Sequence, residues 1–75
     1  MKTFSRQVLE IFHVMHQDRL DLHVLFEAAG NNADAREQVV DAVDDLVREG
    51  MIESSGADFY TITDKGKAAL AMEIR

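Results

Sequence analysis

The chain has 75 residues, enough for one small domain and too few for two. Hydrophobic residues make up 47% and charged residues 29%, the balance of a globular chain and not of a disordered one. Fourteen Asp and Glu against eight Lys and Arg give a net charge of -6, which argues against a generic nucleic-acid-coating protein; zero cysteines exclude a disulfide framework, a thiolate zinc site and a cysteine nucleophile.

No internal repeat, low-complexity tract or linker interrupts the chain, so it reads as a single domain over residues 1–75. Proline is absent, so helix ends must be set by caps and glycines. Phe4, Val8, Ile11, Phe12 and Met15 recur at i, i+4, i+7, i+8 and i+11, which predicts an amphipathic first helix over residues 4–16. If Leu9 and Val14 give that helix a second apolar side, it is either the seam of a homodimer or two exposed aliphatics on a monomer. A domain of this size nets only ~3–5 kcal/mol from its core, so a dimer would add useful burial. Arg6 and Glu10 break the apolar run that a signal peptide needs. The longest later run, residues 68–72, is far short of the roughly 20 residues that span a bilayer. A soluble, cytoplasmic protein with no membrane partner is the expectation.

Arg19-Leu20 reads as a short extended link. Asp21 is placed to cap a second helix over residues 22–29, with Leu22, Leu25, Phe26 and Ala29 inward. Gly30 stops that helix and Asn31-Asn32 continue the turn. Asp34 with Glu37 has the spacing of a capping box and opens a third helix over residues 35–49. Val39, Val43, Leu46 and Val47 form its inner face, and Gly50 ends it. Residues 51–54 and 59–62 are β-prone and flank Ser55-Gly56-Ala57-Asp58, which predicts a two-stranded hairpin packed on the helices. Thr63 caps a last helix over residues 64–73, with Leu70 and Ile74 at i, i+4. The fold class is α+β, mostly helical.

Two stretches carry a resemblance. Residues 21–50 pair a short helix with a longer one that closes as Leu46-x-x-x-Gly50-x-Ile52; the return strand and next helix start read Tyr60-x-x-Thr63-x-x-Gly66. This resembles a winged helix-turn-helix domain, similar to small bacterial repressors of the multiple-antibiotic-resistance and arsenical-resistance types, over nearly the whole chain. The resemblance implies a three-helix bundle, a two-stranded wing and a C-terminal helix. It also implies transcription regulation: the third helix in the DNA major groove, the wing on the backbone, and a dimer on a two-fold operator.

The residues on that third helix suit DNA poorly. With about 100° per residue and Val39, Val43 and Leu46 inward, the outer face presents Asp34, Glu37, Gln38, Asp41, Asp44, Asp45 and Arg48. Residues 34–53 hold seven acids against Arg36 and Arg48, a net of -5, whereas the other 55 residues hold seven acids and six bases, a net of -1. The wing tip, Ser54-Ser55-Gly56-Ala57-Asp58, has no Lys or Arg. Affinity for duplex DNA comes largely from cations that neutralise phosphates. A DNA reading set reduces to Asn31, Asn32, Arg36 and Gln38, with phosphate clamps from Lys2 and Arg6 or from Lys65 and Lys67. The other reading is a protein-partner face made of Asp34, Glu37, Asp41, Asp44 and Asp45, because like charges repel DNA and steer cations. The same charges also suit plain solvation, and Asp34 and Glu37 suit the positive end of the helix dipole.

His13, His16 and His23 fall close in sequence, but their spacing matches no standard zinc pattern, so no metal is expected. There is no Gly-rich phosphate loop, no nucleophile elbow and no serine with a neighbouring histidine. Neither catalysis nor a cofactor is expected. Phe4, Phe12, Phe26, Phe59 and the four methionines are assigned to the core.

Overall fold

The computed structural model describes residues 3–73. Lys2 and Ile74, assigned above to a phosphate clamp and to the last helix, lie outside them. The elements in chain order are α1 (Thr3–Val14), β1 (Arg19–Asp21), α2 (Leu22–Ala28), α3 (Ala33–Arg48), β2 (Ile52–Ser54), β3 (Phe59–Ile62) and α4 (Asp64–Glu73). The fold is α+β: four helices and a small antiparallel sheet.

The sheet has three strands, not two. Its order is β1-β3-β2, so β3 is central. Arg19, Leu20 and Asp21 pair with Thr61, Tyr60 and Phe59. Ile52, Glu53 and Ser54 pair with Ile62, Thr61 and Tyr60 on the other side. Bonds at both ends extend the β1 ladder: Ile62 N donates to Asp18 O at 2.8 Å, and Leu22 N donates to Asp58 O at 2.8 Å. The segment expected as a link is therefore a strand. With one apolar residue, Leu20, it is too short to show a period of two.

Helices α1 and α3 end by the same backbone device. In α1, His16 N donates to His13 O at 3.1 Å and Gln17 N to Phe12 O at 3.3 Å, the paired bonds of a Schellman motif. The same pair closes α3, where Gly50 N reaches Val47 O at 3.1 Å and Met51 N reaches Leu46 O at 2.9 Å. Gly50 takes φ of 77° without penalty, but His16 sits at φ of 56° with a full side chain. Helix α1 thus ends at Val14, short of the expected boundary, and Met15 is 43% exposed and outside the buried stripe.

At the helix starts, Asp21 caps α2 as expected: its Oδ1 accepts from Val24 N at 2.8 Å. For α3 the cap is Asn32, whose Oδ1 accepts from Ala35 N at 2.8 Å. That corrects the capping box. Asp34 lies inside the first turn of α3, so the helix starts earlier than expected. Thr63 caps α4 as expected, with Gly66 N donating to its Oγ1 at 3.1 Å.

The core joins every element: Val8, Leu9 and Phe12 from α1, Leu20, Leu25, Val39, Ala42, Val43 and Leu46 from the next three, and Ile52, Ile62 and Leu70 from the rest. Two expectations change here. Leu9 is fully buried, so it belongs to the core and not to a dimer seam; Val14 is exposed. Val47 is 38% exposed, and Ala42 takes the inward place it was given.

The chain segments at the junction of α3 and α4 pack closely. Gly66 faces the backbone of Met51, where an added Cβ would lie 2.1 Å from Met51 O. Around it, Thr63 N donates to Met51 O at 3.0 Å, Thr63 Oγ1 to Gly50 O at 2.6 Å, and Lys65 Nζ to Glu49 O at 2.7 Å. The carbonyls of Glu49, Gly50 and Met51, just past α3, are satisfied by Thr63 and Lys65 at the start of α4. The Tyr60-x-x-Thr63-x-x-Gly66 spacing is thus a structural joint.

Candidate functional site

Helix α3 is amphipathic, and packing of Ala35, Val39, Ala42, Val43 and Leu46 fixes which side faces out. The outer side carries Asp34, Glu37, Gln38, Asp41 and Asp44, all exposed. No ion pair joins Asp34, Glu37 or Asp41 to a cation among the described residues. Asp45 differs from the expectation: it is half-buried and holds Arg48 at 2.5 Å. Arg48 also reaches Asp44 at 3.4 Å. The one guanidinium of this face is therefore committed to its own helix.

The residues of the DNA set gather at the other end of α3. Asn31, Asn32, Arg36 and Gln38 are exposed there. Arg36 Nε donates to Asn31 Oδ1 at 2.9 Å, with its guanidinium 5.7 Å from the Phe26 ring centroid. Asn32 spends its side-chain oxygen on the helix cap. The proposed clamps are also engaged: Arg6 with Glu10 at 3.5 Å, Lys65 with Glu49 O, and Lys67 with Asp18 at 3.1 Å. Arg19 lies 4.1 Å from the Phe59 ring centroid and reaches Ser55 O at 3.4 Å. Every Lys and Arg among the described residues thus has a partner within the chain.

A feature the sequence did not disclose lies beside the acidic face. Val43 floors a groove of about 290 Å³. Leu22 and Tyr60 form its half-buried walls, and Val40, Val47, Asp41 and Asp44 stand at its rim. Val40 is 48% exposed and Val47 38%, an unusual outlay of aliphatic surface on so charged a helix. The missed signal is Val40 to Val47 at i, i+7, one stripe on a helix face.

The histidines separate. His13 and His16 have ring centroids 6.3 Å apart near the end of α1, while His23 pairs with Glu27 at 2.8 Å on α2. No group of three or more His, Cys, Asp or Glu able to hold a metal ion exists among the described residues. His13 and His16 instead edge a cavity of about 410 Å³ between α1 and α4, where the Lys67–Asp18 pair also sits. Among the described residues no helix is long and apolar enough to cross a membrane.

No family model, curated protein or solved structure matches the chain. What the surface offers must be read from its own chemistry.

Proposed function

We propose that the chain is a winged-helix domain, similar in architecture to small bacterial repressors, that recognises a protein through helix α3. One observation carries the reading: the outer face of α3 holds the exposed carboxylates Asp34, Glu37 and Asp41, which no cation among the described residues pairs. The cations elsewhere are held in exposed pairs worth only ~0–1 kcal/mol each, which would yield to a phosphate and do not decide the matter. The decisive element is the fixed negative field, which repels a phosphate backbone and attracts a basic protein. Substituting Asp41→Lys together with Asp44→Lys tests it. Both positions are exposed, so the fold persists, and pull-downs with the variant should lose the proteins retained by the unchanged chain. Identical recoveries would reduce the acidic face to a solvated surface.

Duplex DNA is the second reading, favoured by the grouping of exposed Asn31, Arg36 and Gln38 at the N-terminal end of α3. In that case the chain is a transcription regulator that binds as a homodimer. It predicts binding to random duplex at low salt, a steep fall with added salt, and loss on Arg36→Ala or on Lys65→Ala with Lys67→Ala. Absence of low-salt binding to duplex would rule it out.

A further inference from the structure

We infer that the groove beside α3 receives a basic amphipathic helix of a partner protein. This inference rests on the protein-recognition reading and narrows it from a charged face to an occupied cleft. Three observations define the occupant. The floor and walls are mostly apolar, Val43 and Leu22 with the ring of Tyr60, with Ser54 beside them, so most of the groove needs apolar side chains to cover it. The rim carries Asp41, which no cation among the described residues pairs, and Asp44, which shares Arg48 at 3.4 Å, so Asp41 supplies the charge complement for a Lys or Arg placed beside those apolar residues. Val40 and Val47 stand two turns apart on α3, roughly 10 Å along the axis. A partner helix with aliphatic residues at i, i+3 or i+4, and i+7 repeats that spacing and packs its ridge against the valines.

Other occupants fit less well. The groove, about 290 Å³, lies at the lower limit of small-molecule sites, which run from ~300 to 1,000 Å³. An added β-strand has little template, since both edge strands, β1 and β2, have three residues. A nucleic-acid backbone would meet Asp41 and Asp44 where it needs cations. A second copy of this chain would bring a net charge of -6 against an acidic rim.

The probe is a synthetic helical peptide with leucines at i, i+3, i+7 flanked by lysines, titrated into the full chain at moderate salt. Three controls accompany it: the same composition in scrambled order, the peptide with glutamates in place of lysines, and a random DNA duplex. The amphipathic lysine peptide should bind and shift the NMR signals of Leu22, Val43 and Tyr60. Scrambling the peptide, or substituting Val40→Ser with Val47→Ser, should weaken binding by about tenfold or more. The glutamate peptide should not bind. If the scrambled peptide binds as tightly, or the valine pair changes nothing, the groove inference fails while the acidic recognition face survives. If no lysine peptide binds and the duplex does, both fail together. If none of the probes binds, the groove inference is overturned.

Discussion

At Gly66 a methyl group has no room, because the first turn of α4 presses on the carbonyl of Met51 and backbone cannot give way as a side chain can. Gly66→Ala should therefore destabilise the fold by about 3 kcal/mol, the upper end of overpacking costs, measured by urea denaturation. His16 is the opposite case. It holds a left-handed backbone at the Schellman position of α1, where a side chain costs roughly 1–2 kcal/mol. Replacing it as His16→Gly should raise stability by about 1 kcal/mol, with the gain reduced by the freer unfolded chain. A drop in stability would show that the imidazole makes a contact worth more than the strain. The difference between these residues explains what a sequence discloses. Gly66 sits in a spacing that points to itself, whereas nothing about His16 announces a left-handed conformation.

The helices were legible because three of them carry clear apolar periods or caps, and their boundaries moved by only a turn or less. The N-terminus of α3 is the instructive exception. Asn32 and Asp34 both suit a cap, and the structure uses Asn32, placing Asp34 in the first turn against the positive end of the helix dipole. Asn32→Ala should cost about 1 kcal/mol in thermal or chemical unfolding, and Asp34→Ala under about 0.5 kcal/mol. Equal losses would restore the capping box. Strand β1 was not legible, since its pairing is decided by a partner far along the chain and its only core residue is Leu20. The acidic face of α3 was legible almost completely; the groove beside it was not, because its walls come from α2 and β3. Within α3, Asp41 has like-charged neighbours in Glu37, Asp44 and Asp45 at i−4, i+3 and i+4. Each such pair costs ~0.2–0.5 kcal/mol. Asp41→Asn should then stabilise the protein by about 0.5–1 kcal/mol, which a urea-denaturation assay checks directly.

For the whole molecule half of the net charge of -6 lies on α3, where five acids face Arg36 and Arg48, so screening should act on stability largely through that helix. Raising salt from a few millimolar to physiological strength shortens the Debye length to about 8 Å and relieves repulsion along α3. The competing loss, weaker exposed ion pairs, is worth at most ~1 kcal/mol each and is spread over several sites. The melting temperature should rise with salt in the unchanged chain and rise less in Asp41→Asn/Asp44→Asn. A fall in both would mean that the ion pairs outweigh the repulsion.

The central place of β3 has a consequence for how the molecule is made. Both edge strands hydrogen-bond to β3 and not to each other, so β1 stays unpaired until synthesis reaches residues 59–62. The helices close over local contacts, whereas the sheet depends on long-range pairing and should be the slower step of folding. Tyr60, which walls the groove, arrives with that last strand. The cleft therefore needs β3: a nascent fragment ending before that strand presents the acids of α3 without the wall of Tyr60 beside them, so the proposed partner helix should bind the folded chain and not such a fragment.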